Sequence, residues 1–322
     1  SDAINDIDLI FGQPKNASIH AAGVVITPSD NGMTIYDWMP TKLMDGVLIS
    51  EWEGPELETA GFLKEDILGI KQLDKFNDIF ELMKANNKEI PSFESIDYND
   101  KKVLELFRRG WNQDLFHFGS VGLTSYSQDV QPDSFEELIA MIALYRPGAM
   151  EFGAHESYVK IKQKKKEPEY DWGTEEITKS TFGLYTYQEQ VMKMCEVLAG
   201  FSLTEADDVR KYVGKKQMDK LIKVKDRFVK GCMERGCPEY EAVKIWSKIE
   251  AFGSYAFNRS HSCSYAMTGY FCQYLKYYFP MEFWTVSLQY AEEDEIPQRI
   301  SEIRKFKGIT ILPPDINHSQ RT

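Results

Sequence analysis

Between residues 181 and 279 the apolar positions recur every three or four residues, and this spacing predicts a run of helices. Val191, Met194, Cys195 and Leu198 share one helical face, and Gly200 ends that helix. Ser202 with Glu205 reads as a capping box for a further helix that stops at Gly214. Ala242, Ile245, Trp246, Ile249 and Phe252 line a helix that starts at Pro238 and ends before Gly253. Another runs from about Cys263 to Phe279 and stops at Pro280. Isoleucines 300 and 303 extend a last helix to about Lys307.

The first 69 residues have a different rhythm. Ala22–Thr27, Val47–Trp52 and Gly61–Leu68 predict short strands, and the acidic segment between the second and third reads as a loop with a helical turn. From residue 70 the pattern turns helical. Phe76, Ile79, Phe80 and Met83 lie on one helix, Asp100 caps a second and Ser134 a third, which Pro147 ends just after Arg146. Residues 155–180 read as a linker-like insert. The expected fold is α+β: a small mixed sheet over residues 1–69, then a predominantly helical region over 70–322.

A length of 322 residues leaves room for two or three domains, and 43% hydrophobic with 27% charged residues is ordinary for a soluble globular protein. No apolar run reaches the ~20 residues that span a bilayer, and no secretory leader is visible, so no membrane partner is expected. The opening Ser1-Asp-Ala-Ile reads as a cut edge or processed start, so the chain is expected to be part of a longer protein. Five cysteines without a Cys-x-x-Cys pair suit a reducing cytoplasm. The net charge of −12 argues against nucleic acid only if charge is spread evenly.

It is not spread evenly. Arg210, Lys211, Lys215, Lys216, Lys220, Lys223, Lys225, Arg227 and Lys230 face only Asp219 and Asp226, and helical spacing brings Lys216, Lys220, Lys223 and Arg227 near one face. That face is either solvated or a surface for phosphates. Lys160, Lys162, Lys164, Lys165 and Lys166 pose the same choice in the insert. In Phe62-Leu-Lys-Glu-Asp-Ile, alternation puts Lys64 and Asp66 on one face, as an exposed ion pair or part of a metal-phosphate site. Tyr255, Asn258, Arg259, Ser260 and His261 precede a helix whose first N–H groups, at Ser260 to Cys263, could hold an anion. The bland alternative is a helix-entry loop with a Ser or His cap. His117, a lone histidine, reads as structural.

Tyr255-Ala-Phe-Asn-Arg-Ser-His-Ser262 resembles the Tyr-Gly-Phe-Asn-Lys-Ser-His signature of the C-family bacterial replicative DNA polymerases, the DNA polymerase III alpha subunits. Further matches follow in family order: His20-Ala-Ala-Gly-Val-Val-Ile26, Gly61-Phe-Leu-Lys-Glu-Asp-Ile-Leu-Gly69, Ala143-Leu-Tyr-Arg-Pro-Gly148, Tyr187-Gln-Glu-Gln-Val-Met192, Gly214-Lys-Lys216 and Ile311-Leu-Pro-Pro-Asp-Ile-Asn317. The resemblance implies the last part of a polymerase palm over 1–69 and the fingers over 70–322, with a basic insert at about 155–180. It makes Asp66 the third carboxylate of a two-Mg²⁺ site and turns Lys64 toward the triphosphate. Arg146, Arg210, Lys215, Lys216 and Arg259 become candidates for nucleotide or template phosphates, with Ser260 beside them. Tyr255, Asn258 and His261 become candidates for the sugar and base. His20, Lys220, Lys223 and Arg227 are assigned to DNA.

The chain departs from the family pattern in places. Ala256 stands for Gly, Lys211 and Tyr212 for Arg and Ala, His117 for Gln and Gly119 for Glu in Leu115-Phe-His-Phe-Gly-Ser120. The family's Asp-x-Asp pair lies upstream of the His-Ala-Ala-Gly segment and is not among these residues. The implied function is two-metal addition of deoxynucleotides to a primer 3′ end. The implied partners are primer-template DNA, deoxynucleoside triphosphates, the rest of the polymerase and, through segments outside this sequence, a sliding clamp. The alternatives are a DNA- or nucleotide-binding module or split-polymerase half without catalysis of its own, or a degenerate accessory protein.

Overall fold

The computed structural model describes residues 18–28, 32–214, 217–253, 256–306, 308–313, 315 and 317. Two compact units are present. The first ends at Asp74 and the second begins at Lys75, within the helix Lys71–Ala85.

The first unit contains β1 (Gly23–Ile26), β2 (Thr41–Met44), β3 (Val47–Ser50) and β4 (Leu63–Asp66). They form two antiparallel ribbons, β1–β4 and β2–β3, where the sequence suggested one mixed sheet of three strands. β2 is the strand the pattern missed. Its partner follows a two-residue turn, Asp45-Gly46, in which both residues have positive φ (51° and 78°), the geometry that joins twisted strands tightly. Around these ribbons Trp38 and Trp52 each lie 6.3 Å from Phe62, and Met39 and Leu57 are buried.

The second unit is helical and has two cores. One is centred where Phe135–Leu144, buried along its whole length from Glu137 on, meets Arg259–Tyr278. Helices Lys101–Arg108 and Val121–Val130 pack around them, as does the Ile303 end of Ile296–Ile303. The other core is formed by Gln188–Ala199, Leu203–Gly214, Met218–Glu234 and Glu239–Phe252 around Phe228, Trp246 and Ile249. The second core is inserted into the first. The chain leaves at Tyr187 and returns at Phe257, where the two residues form a parallel bridge and the Gln188 N–H donates to the Phe257 carbonyl at 2.8 Å.

Several boundaries follow local chemistry as expected. Asp100 accepts the Lys102 N–H at 2.8 Å, Ser202 and Glu205 cap each other, and Gly200 ends its helix in the left-handed region. Others differ. Ser134 makes no side-chain cap, and the Glu137 carboxylate instead accepts the Asp133 N–H at 2.6 Å. Pro147 opens a new short helix, Pro147–Glu151, a position its fixed φ suits.

Residues 155–180 are not a linker. Ala154–Lys162 is a helix with Tyr158 and Ile161 buried. Asp171 is also buried and takes ion pairs from Lys244 (3.0 Å) and Lys248 (2.7 Å) and the Tyr185 hydroxyl (2.9 Å). Within the lysine run, Lys162 is held by Asp133 and Glu137, Lys160 by Glu156 and Lys166 by Glu169, which leaves Lys164 and Lys165 as exposed cations without a described ion pair.

A buried ionic cluster ties the last helix to the first core. Lys276 donates to Glu302 (2.7 Å) and to the carbonyls of Trp111 (3.1 Å) and Gln113 (2.6 Å). Asp114 pairs with Lys75 (2.5 Å) and Arg299 (3.2 Å). Among the described residues no helix is long and apolar enough to cross a membrane.

Candidate functional site

Residues 259–261 lie in the helix rather than in a loop before it. Arg259–Tyr278 starts four residues earlier than the apolar pattern suggests, because Asn258 is the cap and its side-chain oxygen accepts the His261 N–H at 2.8 Å. The expected open anion site at Ser260–Cys263 is therefore largely filled from within. Asn258 takes the His261 and Ser262 N–H groups, and the Glu189 carboxylate accepts the Arg259 N–H at 3.0 and 3.1 Å. His261 is neither the cap nor buried.

The side chains that converge here are partly exposed. Arg259 Nη2 donates to both oxygens of Glu136, at 2.9 and 2.8 Å, and this hydrogen bond raises the guanidinium pKa further. Arg146 lies 3.7 Å over the Phe257 ring, and its Nε donates to the Ala143 carbonyl at 3.2 Å. Burial pushes its pKa down, yet arginine starts so high that it stays charged. Phe257 meets His261 edge-on at 5.4 Å. Arg146 and His261 thus meet on the Phe257 ring, with Asn258 and Ser260 exposed beside it, while Arg259 turns to Glu136 and, at 5.8 Å, to the Tyr187 ring. Tyr255, Lys215 and Lys216 lie outside the described residues.

Arg210 sits at a small cluster of its own. Its Nε donates to Asp207 at 2.7 Å and its Nη1 to Gln188 at 3.5 Å, and Lys211 takes the other Asp207 oxygen at 2.7 Å. Along Met218–Glu234 the cations Lys220, Lys223 and Arg227 are all exposed, while Leu221 is buried. Lys220 lies 4.9 Å over Tyr212, and Arg227 lies 4.9 Å over Phe201 and 3.9 Å from Glu205. Ile222 is exposed among them, so the face is not wholly polar.

In the first unit, β4 alternation brings Lys64 and Asp66 together at 2.9 Å, and the Lys64 hydrogen bond holds the Asp66 carboxyl below the usual range. Gly23 faces Asp66 across the ribbon. A Cβ there would come within 2.9 Å of His20 Nδ1 and 3.0 Å of Lys64 Cε, so only glycine lets both side chains close over the strand. His20 Nδ1 is 3.9 Å from Asp66, but that nitrogen accepts the N–H groups of Ala22 (3.2 Å) and Gly23 (2.7 Å).

Two family models match the sequence. The finger domain of the bacterial DNA polymerase III alpha subunit matches residues 72–236, and the bacterial DNA polymerase III alpha NTPase domain matches residues 2–69. The chain belongs to the bacterial DNA polymerase III alpha subunit family. Similar proteins include the DNA polymerase III subunit alpha of Aquifex aeolicus, 38% identical, and of Campylobacter jejuni, 37% identical, each over 96% of this chain and 26% of the relative. That of Thermus aquaticus is 32% identical over 96% of this chain and 25% of its own length. The chain thus spans about a quarter of the curated relatives it matches.

For this DNA polymerase III family segment, the fit of a metal can be tested on the donors. Asp66 is a single exposed carboxylate already paired with Lys64, and among the described residues no group of three or more acidic, histidine or cysteine side chains could hold an ion. Mg²⁺ needs near-octahedral oxygen ligation. The described residues do not make a Mg²⁺ site by themselves.

Sequence reasoning missed the acidic partners. Glu136 and Glu189 lie far from Arg259 in sequence, and only the fold brings them to it. Glu189 stands inside the Tyr187-Gln-Glu-Gln match, a signal that was available. Tyr265, one helical turn after His261 and 4.1 Å from its ring, was readable from the i, i+4 spacing.

Proposed function

We propose that this chain works as part of a DNA-directed DNA polymerase, with residues 1–69 as the end of the palm and 70–322 as the fingers. The observation that carries the reading is the Phe257 ring, which receives Arg146 at 3.7 Å and His261 at 5.4 Å beside the Asn258 cap, with Arg259 next in the chain. Two guanidinium groups, an amide and an imidazole suit a nucleoside triphosphate. Arg259 and Arg146 neutralise phosphate charge, Asn258 fixes the helix start, and His261 lies against the sugar. Positioning and charge stabilisation are what phosphoryl transfer chiefly requires of the protein. Lys220, Lys223 and Arg227 contact template or duplex phosphates, as do Lys215 and Lys216, and Arg210 joins them when released from Asp207. His20 and Lys64 flank Asp66 in the first unit.

Asp66 supplies one carboxylate to a Mg²⁺ site whose other ligands come from elsewhere in a longer polymerase. The substrates are primer-template DNA and deoxynucleoside triphosphates, the wider partners are the rest of the polymerase and a sliding clamp, and the setting is the cytoplasm. A second reading, a nucleotide- and DNA-binding part with no catalysis of its own, is favoured for the isolated chain by the lone carboxylate at Asp66. Primer extension separates the two. The isolated chain with Mg²⁺ or Mn²⁺ is expected to extend nothing, whereas the longer polymerase carrying this segment extends. Robust metal-dependent extension by the pure chain would overturn the division of labour, and an inactive longer protein would overturn the polymerase reading.

A further inference from the structure

His117 sits on an unusual piece of backbone. Within residues 111–118, Asp114 (φ 55°) and His117 (φ 64°) both adopt the left-handed region that non-glycine residues avoid. Such conformations persist where the surroundings over-determine them, and they cluster at functional sites. Here the surroundings do so. Lys276 holds the carbonyls of Trp111 and Gln113, Glu302 accepts the Gln113 N–H at 3.2 Å, and Lys75 and Arg299 hold Asp114. The helix Arg259–Tyr278 also lies flush against the loop at Gly269, where a Cβ would come within 2.8 Å of the Phe116 carbonyl.

This anchored loop delivers rings to the helix surface that carries the candidate nucleotide residues. His117 meets Tyr265 edge-on, with centroids 5.4 Å apart at 85°, and Phe116 meets it at 5.0 Å. The Tyr265 ring also receives His261 at 4.1 Å, His261 touches Phe257, and Arg146 covers Phe257. His117 and His261 are exposed, and Tyr265 and Phe257 are half-buried, so the run of rings is open to solvent on one side.

We propose that His117 and Tyr265 form a stacking ledge for the base of a nucleoside triphosphate, beside the sugar contact at His261; this rests on the polymerase reading above. Stacking suits an enzyme that must accept every base, because each base offers a π face whatever its hydrogen-bonding edge. Arg146 adjoins the ledge through Phe257 and provides a cation for the phosphates. His117 stands where the family resemblance has Gln, so its ring is a feature of this chain.

The test uses the longer polymerase carrying this segment, with nucleoside triphosphates and inorganic tripolyphosphate as probes. Tyr265→Leu is expected to weaken nucleoside triphosphate binding about tenfold and to leave inhibition by tripolyphosphate unchanged, while Tyr265→Phe retains binding. His117→Asn keeps a residue that tolerates the left-handed backbone and removes the ring. It is expected to raise KM severalfold at constant kcat, with an unchanged melting temperature. If Tyr265→Leu fails to fold, His117→Asn and Tyr265→Phe decide. Unchanged affinities, equal losses for both probes, or a loss confined to template DNA would overturn the ledge alone. A parent enzyme that binds no nucleoside triphosphate would overturn the polymerase reading as well.

Discussion

Glu136 holds Arg259 through both of its carboxylate oxygens, at 2.9 and 2.8 Å from the same guanidinium nitrogen. The contact joins the helix Phe135–Leu144 to the start of Arg259–Tyr278, so the proposed phosphate ligand is already engaged by a carboxylate. A triphosphate that uses Arg259 has to compete with it. In the longer polymerase, Glu136→Gln is expected to lower KM for nucleoside triphosphates severalfold. Arg259→Ala is expected to raise it about tenfold or more, the size of a charge-assisted hydrogen bond. Both partners are partly exposed, so stability should shift by no more than about 1 kcal/mol. Steady-state kinetics with thermal unfolding checks both, and an unchanged KM in Arg259→Ala would remove Arg259 from the site.

Asp66 offers a sharper test. Asp66→Asn keeps the shape of the β4 terminus and removes the charge. In the longer polymerase it is expected to cut turnover by orders of magnitude while leaving unfolding nearly unchanged, since Asp66 is solvent-exposed. A change within about threefold, or ~0.65 kcal/mol in barrier, would make the Lys64–Asp66 pair a surface contact only.

The cations of Met218–Glu234 predict salt-sensitive DNA binding in spite of a net charge of −12. Each duplex phosphate neutralised contributes a slope of about −0.9 in log affinity against log salt. Reversing Lys220, Lys223 and Arg227 to Glu should flatten the slope and weaken all sequences alike. Titrations of a labelled primer-template across a salt series measure this, and an unaltered slope would return the face to solvent.

Asp171 predicts an acid transition. Burial alone would raise its pKa, but hydrogen bonds from Lys248, Lys244 and Tyr185 outweigh burial and hold the carboxyl below its usual range. A carboxyl depressed in the folded state contributes stability above its unfolded pKa and loses it as pH falls through the folded value. Stability should therefore decline below about pH 4. Asp171→Asn should lose about 1–3 kcal/mol at pH 7 and show a shallower acid limb. Denaturant unfolding between pH 7 and 3 reads both, and parallel curves for the two proteins would exclude Asp171 as the titrating group.

The helices were legible where signal and cause are both local. Glu239–Phe252 shows its apolar stripe, its leading Pro238 and its trailing Gly253, and Ser202 with Glu205 reads correctly as a cap. The errors arose where the cause is distant or the signal ambiguous. Residues 155–180 looked like a linker because their lysines and Pro168 dominate the local pattern, while Asp171 finds its Lys248 partner 77 residues away. The helix at Arg259 was placed late because its first turn is polar and Asn258 was not recognised as the cap. Asp45-Gly46 was a readable hairpin turn, but Lys42 interrupts the apolar run of β2. The polar inventory of the candidate site was visible in sequence. The acidic side chains that occupy it were not, because Glu136 reaches Arg259 across 123 residues of chain.

The bridge between Tyr187 and Phe257 has a consequence for how the chain reaches this fold. The outer core needs Tyr270, Phe271 and Leu275, which follow the whole inserted core in sequence, so its contacts are strongly non-local. Loop closure on that scale slows folding unless the intervening chain is already compact. The inserted core can become compact first, because its four helices are contiguous. Once formed, it presents its two ends side by side, and the outer core then closes around a short staple in place of a long floppy loop. Protection in pulsed hydrogen exchange should accordingly arise within 188–252 before it arises at 138–144, and the reverse order would assign nucleation to the outer helices.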